Sequence, residues 1–453
     1  MGRAGTSVVT KATARDGSGR ARAPLLMALL IVGLSRLPFV TPGYGVDPDA
    51  WRIADAGREI AATGAYVVSR FPGYPVCELA SAVLPKQAWV VCAVTALMSV
   101  AAAAFFMLTL RHVGCPDYVL GGIALAFSPV VYVASVNGMD HVWALAFLMA
   151  GLYFLVNQHT LLAGCCIGMA IGCRPSSAAA LLPYCIIIAK DQAVGRRLRS
   201  ALSLIVPAVL VGGLFFLPVI ARYGSACLTV YEHGYPSLFQ VAALGTIHVW
   251  GELGALAVAI AVCWTAWRWR AGSVPFYEAK RACRGVTAGA TAAVVVYLAL
   301  FLRFPHDASY LIPALPFTLL LGSPLMRRTS FRAVCIAIAI SPFAFSLGKA
   351  GLQPGRILRD HTERVRDVSY SRAVVRIAER LPEGSVVVAG SHEPKLRVLS
   401  EAIHYVYLLE PGEGKVYIAR GRPIYYLPHV VEFNNSVNGV RLDETGTPLP
   451  EPR

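Results

Sequence analysis

The sequence predicts an all-α polytopic membrane protein with about eleven transmembrane helices, followed by a small external α/β C-terminal domain. The 453 residues are 56% hydrophobic and 15% charged, with a mean hydropathy of +0.56. A soluble protein typically carries about 25% charged residues. The charges also lie between long apolar runs, and about 20 apolar residues are enough to cross a bilayer. The residues after 348 contain no such run.

The apolar runs set the predicted spans in order along the chain. Nine runs are read as single spans: 24–40, 88–110, 118–136, 141–156, 201–221, 245–267, 285–302, 309–325 and 333–347. Two shorter runs, 161–173 and 176–189, flank Arg174-Pro175 and are predicted to form a pair of short helices. Residues 1–23, rich in basic and small residues, are predicted to be a disordered cytoplasmic tail. The membrane domain then covers residues 24–348.

The net charge of +15 raises the possibility of a nucleic-acid partner, so its distribution decides its meaning. With the N-terminus in the cytoplasm, the segments on the inner side hold 18 Lys and Arg against 4 Asp and Glu. This asymmetry is the positive-inside pattern of membrane proteins. It argues against nucleic-acid binding and for an integral plasma or inner membrane protein with an external C-terminus. The long loop 43–87 and residues 349–453 are then external, and chemistry is expected there.

The C-terminal residues 349–453 have the pattern of a small α/β domain. An amphipathic helix is predicted over 369–381, with three β-rich runs after it: "SVVVAGS", "HYVYLLE" and "KVYIARG". No catalytic triad or metal-ligand spacing occurs there, and no cysteine follows Cys335. We expect this domain to pack on the external face as a lid or an acceptor-binding module.

The external loop 43–87 opens with an amphipathic stretch, "GVDPDAWRIADAGREIAATGAYVVSRFPGYP", at residues 45–75. Apolar and small residues recur along it at helical spacing: Ala50, Ile53, Ala54, Gly57, Ile60 and Ala61. Such a helix lies in the membrane interface instead of crossing the bilayer. Trp51 is expected at the headgroup level, and Gly64 is expected to end the helix.

Two aspartates precede this interfacial helix. Asp47 followed by Pro48 is a good N-cap and first-turn pair, which explains one aspartate structurally. Asp49 in the first turn also interacts favourably with the helix dipole. A catalytic carboxylate is the alternative, and the two aspartates are not separable on these grounds.

The loop, with "TGAYVVSRFPGYP" after the helix, resembles the first external loop of polyprenyl-phosphate-sugar-dependent glycosyltransferases of the GT-C superfamily. Protein O-mannosyltransferases and lipid A aminoarabinose transferases share this layout of acidic residue, juxtamembrane helix and Pro/Gly-rich turn. The resemblance implies a GT-C-like fold and gives Asp49 the role of the catalytic carboxylate. Ala50 stands where a second acidic residue commonly follows, so Asp47 stays an alternative.

Three later segments extend the resemblance in the expected order. "NGMDHVWALAFLMAGLYFL" places Asp140 at the external end of a span, "GCRPSSAAALLPY" places Arg174 at membrane level, and "RFPHDASYLIPALPF" contains His306, Asp307 and Tyr310. Each has a plain structural interpretation: a helix cap for Asp140, a snorkelling side chain for Arg174 and a solvated loop for the histidine-aspartate pair. Their order and common face favour function.

The resemblance implies an inverting, mannosyltransferase-like hexosyltransferase. It would move a sugar from a polyprenyl phosphate to a hydroxyl of an external protein, lipid or glycan. The catalytic candidates are Asp49, Asp47 and Asp140. The donor phosphate-binding candidates are Arg174 and His306, with Arg70 and Arg303 in reserve. The substrate-binding candidates are Asp307, Tyr310, Glu232, His233 and Tyr235.

No cofactor is demanded by the spacing of these residues, although clustered carboxylates would permit a divalent cation such as Mg²⁺ or Mn²⁺. Membrane lipids are expected partners. A transporter or flippase of a lipid-linked or polar substrate is the alternative function. Transporters usually show internal repeats and charges at the bilayer midplane, whereas most charged candidates here cluster at the ends of spans. A non-catalytic subunit on the same scaffold is a third interpretation.

Overall fold

The computed structural model describes residues 18–228, 234–271, 283–348, 351–408, 416–417, 419–427, 440–442 and 448–449. Up to residue 340, the secondary-structure elements of the described residues are helices. Its helices are α1 (Ser18–Arg36), α2 (Pro48–Thr63), α3 (Pro75–Val83), α4 (Ala88–His112), α5 (Tyr118–Phe127), α6 (Pro129–Ala134), α7 (His141–Val156), α8 (Thr160–Cys173), α9 (Leu181–Asp191), α10 (Val194–Tyr223), α11 (Leu238–Gly245), α12 (Ile247–Arg270), α13 (Cys283–Arg303), α14 (Leu315–Leu325) and α15 (Arg328–Ile340).

Five helical stretches are long and apolar enough to cross a membrane: Ala88–His112, Val194–Cys227, Ile247–Arg268, Gly285–Arg303 and Ala308–Leu325. Four shorter apolar helices accompany them within the described ranges. The chain is therefore an integral membrane protein. The total of about eleven spans stays a prediction.

Several predicted spans are divided or extended in the structure. The run 118–136 breaks into α5 and α6 at Ser128-Pro129, because a proline cannot donate the hydrogen bond that would continue α5. The run 309–325 begins as a 3₁₀ helix, Ala308–Ala314, before α14. At the start of the chain, α1 begins at Ser18, inside the predicted disordered tail. The two short helices around Arg174 are α8 and α9, separated by the 3₁₀ helix Pro175–Ala180.

The helical core is packed through small residues. Helix α8 lies against α7 on one side and α10 on the other. A Cβ on Gly164 would lie 2.3 Å from the carbonyl oxygen of Leu204, so the α8 and α10 backbones touch there. Small residues permit such close approach between membrane helices. This packing fixes the α8 C-terminus, and with it the position of Arg174.

Most of the apolar stripe predicted for helix α2 is buried, as the sequence predicts. Ala50, Ile53, Ala54, Gly57 and Ile60 are buried, and the Gly64 N–H closes the helix on the Ile60 carbonyl at 2.8 Å with φ of 69°. Trp51 differs from the prediction. Its ring packs against protein with 2% exposure, and its Nε1 donates to the Gly45 carbonyl at 2.8 Å. The ring is held by the fold of the loop and is not exposed on the helix surface.

The C-terminal residues form a short strand pair, a long helix and a five-stranded sheet. Strands β1 (Ser346–Gly348) and β2 (Gly351–Gln353) pair antiparallel before α16 (Arg356–Ala378). A five-stranded sheet follows in the order β4-β3-β5-β6-β7, with α17 (Glu393–Leu399) between its first two strands. Its strands are β3 (Val386–Val388), β4 (His404–Val406), β5 (Ile424–Tyr426), β6 (Val440–Leu442) and β7 (Pro448–Leu449).

The first three neighbouring pairs of this sheet are parallel, and β6 with β7 is antiparallel. The prediction of strands in "SVVVAGS" and "HYVYLLE" matches β3 and β4. The strand predicted in "KVYIARG" is wrong: Val416 and Tyr417 are helical, and the third strand starts later, at Ile424. Residues 416–419 are a short continuous apolar run, which does not distinguish a strand from a short helical segment.

Helix α16 ties this C-terminal part to the helical bundle. Arg364 is fully buried and donates to the carbonyls of Val136 at 3.0 Å and Phe39 at 2.6 Å. Asp360 pairs with its Nε at 2.9 Å. Phe39 and Val136 lie in two connections at the same end of the bundle as loop 43–87. The C-terminal part therefore docks at the end where the candidate site lies.

Candidate active site at the loop end of the bundle

The N-terminus of α2 brings the two aspartates into different surroundings. Asp47 is the N-cap, and its Oδ1 accepts the Asp49 N–H at 2.9 Å. Burial, followed by the charge of Asp49, raises the pKa of Asp47. Asp49 points instead toward two arginines. Its Oδ1 lies 2.8 Å from Arg52 Nη1, and its Oδ2 lies 3.0 Å from Arg70 Nε.

Asp140 lies at the centre of the site. Its side chain has no exposure, and it makes no capping bond to α7, so the helix-cap interpretation is wrong. Its Oδ1 lies 3.0 Å from Arg70 Nη2 and its Oδ2 lies 2.6 Å from Arg174 Nη1. Burial opposes its ionisation, but the charges of Arg174 and Arg70 outweigh burial and hold the pKa of Asp140 well below its usual range.

Arg70 joins the two aspartates. It sits on a turn in which the Gly73 N–H donates to its carbonyl at 2.8 Å, and Gly73 takes a φ of 104° that favours glycine. The Tyr74 ring lies 3.7 Å from the guanidinium carbon. The Nε and Nη2 atoms are used by the aspartates. The Nη1 atom is buried and has no hydrogen-bond partner among the described residues.

Arg174 enters the site from the α8–α9 connection. Its side chain is 12% exposed and pairs with Asp140, so it does not snorkel to water. The Tyr310 ring lies 5.0 Å from its guanidinium carbon, a cation–π distance. The chain of ion pairs from Arg52 to Arg174 thus contains three arginines and two aspartates. One positive charge of this chain is left over.

A second set of polar groups continues from Arg174. His141 Nε2 lies 3.3 Å from Arg174 Nη1 and 2.9 Å from Ser309 Oγ. Asp307 caps the following 3₁₀ helix, accepting the Ser309 N–H at 3.0 Å and the Ser309 hydroxyl. The segments 45–75, 140–141, 174 and 307–310 therefore meet at one place.

The remaining predicted residues lie elsewhere or outside the description. His306 is exposed in the connection before Asp307. Arg303 is exposed at the end of α13, with its guanidinium carbon 4.7 Å from the Phe304 ring centre. The Tyr235 hydroxyl donates to the Leu302 carbonyl at 3.0 Å. Glu232 and His233 lie outside the described residues.

Four contributors are not among the predicted site residues: Arg52, Tyr74, His141 and Ser309. His141 is an ionisable residue beginning an apolar span, which is a functional signal in itself. Arg52 follows Asp49 by three residues on α2, so helical spacing alone places the two side chains next to each other. Tyr74 contacts Arg70 within one turn, and Ser309 contacts both Asp307 nearby in sequence and His141 across the fold.

The carboxylates present do not form a metal site. In the ranges covered by the structure, no group of three or more His, Cys, Asp or Glu side chains is placed to hold an ion. Both side-chain oxygens of Asp49 and of Asp140 pair with arginines, one arginine to each oxygen.

The helical bundle, with a polar site built from its connections at one end, is similar to solved structures with the GT-C fold. The solved structures of ArnT, a lipid A aminoarabinose transferase from Cupriavidus metallidurans, have this fold. In the apo state and bound to undecaprenyl phosphate, ArnT matches with a TM-score of 0.59 at 15% identity, over 90% of both chains. The expected GT-C fold is confirmed.

An oligosaccharyltransferase from Archaeoglobus fulgidus, tethered to an acceptor peptide with an NVT sequon, matches with a TM-score of 0.49 at 12% identity. That match covers 85% of this chain and 63% of the other. No protein-family model and no curated protein matches the sequence.

Proposed function

We propose that the protein is a membrane glycosyltransferase that moves a sugar from a polyprenyl phosphate to an acceptor hydroxyl at the external face. The GT-C fold supports the class of reaction. The positive-inside charge pattern supports the external location of the site. The acceptor is a protein, lipid or glycan bearing a free hydroxyl.

One observation carries the proposal: the buried Arg70 Nη1 has no partner in the described part of the chain, while its other nitrogens bind Asp49 and Asp140. An unpaired buried donor is costly, more so on a charged group. A phosphate oxygen of the donor would pair with it.

The chemistry is a single displacement with inversion. The acceptor oxygen bonds to the anomeric carbon, and the bond from that carbon to the phosphate oxygen breaks. Asp49 takes the acceptor proton, a contribution of about 10²–10⁴-fold for a positioned base. Arg70 and Arg174 stabilise the negative charge that grows on the leaving phosphate. Asp140 holds both arginines in place.

The test replaces Arg70 by Gln and measures sugar transfer from polyprenyl-phosphate donors by the purified protein. Loss of one donor to the leaving oxygen is expected to lower the transfer rate by about 10²–10³-fold. Arg376→Gln, an exposed arginine on α16, is the matched control and should transfer at the normal rate.

Equal rates for Arg70→Gln and the wild type would remove Arg70 from the mechanism. Absence of transfer by the wild type from every polyprenyl-phosphate sugar, combined with movement of such a lipid between leaflets of a vesicle, would instead establish the flippase alternative.

A further inference from the structure

Glu78 on α3 is a fully buried carboxylate that the proposed mechanism does not use. Its Oε1 accepts the Ser69 N–H at 2.7 Å and the Ser69 hydroxyl at 2.6 Å. Its Oε2 accepts the Tyr74 N–H at 3.1 Å and the Tyr66 hydroxyl. No basic side chain within the described ranges forms an ion pair with it.

A buried charge without a cation needs hydrogen bonds to be tolerated. Burial raises the pKa of Glu78, and the bonds from Ser69, Tyr66 and Tyr74 oppose that rise. All four bonds come from one short segment, residues 66–74. This segment has no strand partner, so the side chain of Glu78 takes the place of a sheet ladder in satisfying its backbone.

The residues bonded to Glu78 lie on both sides of Arg70 along the chain. Ser69 immediately precedes it, and Tyr74, whose ring stacks on its guanidinium, closes the turn after it. At the far end, Arg222 donates to the Tyr66 carbonyl at 2.5 Å and the Tyr223 hydroxyl accepts the Val68 N–H at 3.3 Å. Glu78 therefore holds the segment by hydrogen bonds on both sides of Arg70. The hydrogen bonds from α10 reach only its beginning, and the further contact of α10 with Phe71 is ring packing by Tyr223.

We propose that Glu78 is a positioning residue that sets the guanidinium of Arg70 for the donor phosphate. The proposal rests on the function proposed above and adds a residue that touches neither substrate nor reacting atoms. Through Glu78, helix α3 fixes the position of the segment 66–74 relative to the bundle. The expected consequence is that changes at Glu78 act only through Arg70.

The structure supplies an isosteric test. Each carboxylate oxygen accepts one main-chain N–H, from Ser69 or Tyr74. In Glu78→Gln, one of these oxygens becomes an NH₂ group in either amide orientation. One buried N–H then faces a donor, and unlike a hydroxyl it cannot rotate away. The turn that carries Arg70 has to shift.

The first measurement is sugar transfer from a polyprenyl-phosphate donor. Misplacement of a binding group by about 1 Å costs about 10²-fold, so Glu78→Gln is expected to lose transfer on that scale. Glu383→Gln, at an exposed position, is the matched control. In an Arg70→Gln background, Glu78→Gln should cause no further loss. Additive losses in the double variant would assign Glu78 a general structural role and overturn the proposal.

The second measurement needs no activity. Trypsin is added to the detergent-solubilised protein, and the cleavage products are identified by mass spectrometry. The Arg70 side chain is 11% exposed, so the wild type should resist cleavage there. Glu78→Gln should be cut after Arg70, with other cleavage sites unchanged. Resistance at Arg70 together with normal transfer would refute the role of Glu78.

Ser69→Ala is a milder variant if Glu78→Gln does not fold. It removes one of the four bonds and keeps every main-chain N–H paired, so an intermediate loss of transfer is expected. A wild type that transfers no sugar would refute the proposed function, whereas the trypsin result would still decide the position of Arg70.

Discussion

Asp49 and Asp140 share Arg70 but differ in their access to a substrate. Asp140 is fully enclosed, and both its oxygens are held by arginines. The Asp49 side chain is 27% exposed. Removing one partner from a buried ion pair is strongly destabilising, which suits Asp140 to organising the arginines. Asp49 is the carboxylate that an acceptor hydroxyl can reach.

Replacing each α2 aspartate by Asn separates capping from catalysis. Asn is as good an N-cap as Asp, so Asp47→Asn should keep the helix and near-normal transfer. Asp49→Asn should lose about 10²–10⁴-fold in transfer because an amide cannot take the proton. Rates are measured with saturating donor and acceptor.

The opposite outcome, a large loss in Asp47→Asn and a normal rate in Asp49→Asn, would move the base to Asp47. The raised pKa of Asp47 would then be part of the mechanism.

Helix α2 carries these aspartates at one end and binds the C-terminal part along its side. Arg397 of α17 lies 3.2 Å from Asp55 and 3.9 Å from Glu59. Arg58 Nη2 lies 3.3 Å from Glu401, and its Nη1 donates to the Val398 carbonyl. On the opposite side, a Cβ on Gly57 would lie 2.6 Å from Ser81, so α2 packs tightly on α3. The helix is held between the bundle and α17.

Reversing the charge of Arg397 tests this contact. Arg397→Glu would face Asp55, Glu59 and Glu393 as a like charge. Exposed pairs contribute about 0.2–1 kcal/mol each, so we expect a loss of about 1–2 kcal/mol and a lower melting temperature. Transfer should fall with it, because the α2 N-terminus is less well fixed. Arg376→Glu, an exposed position on α16, should change neither quantity. Unchanged melting and transfer in Arg397→Glu would show that the contact does not hold α2.

At the scale of the whole molecule, four connections far apart in sequence form one site. The Gly138 N–H bonds the Tyr44 carbonyl at 2.6 Å, and Ser309 Oγ reaches His141 across 168 residues. Arg364 of α16 binds the same end of the bundle. The site and the C-terminal part therefore lie at one end of the bundle, which is the predicted external side.

Fusing a reporter to each end of the chain tests this orientation. Alkaline phosphatase folds only outside the cytoplasm, so a fusion after Arg453 should be active and a fusion before Met1 inactive. Green fluorescent protein at the same two positions should give the reverse pattern. Phosphatase activity at the N-terminus alone would invert the topology and place the site in the cytoplasm.

The sequence by itself determined the membrane class and the helix with its cap and stripe at α2, and it predicted the loop end of the bundle as the place for chemistry. These features depend on composition, charge and the spacing of nearby residues, which are local properties. The resemblance of its loops to those of GT-C glycosyltransferases selected Asp49, Asp140, Arg70, Arg174 and Asp307 as candidates.

Only the tertiary structure decided which of these charges meet. The pairing of Asp140 with both Arg70 and Arg174 and the contact of His141 with Ser309 depend on distances between segments far apart in sequence. The sequence did not show that His306 and Arg303 are exposed, since the direction of a loop side chain is set by packing. Contacts across the fold have no periodicity in the sequence, and for that reason no pattern predicts them.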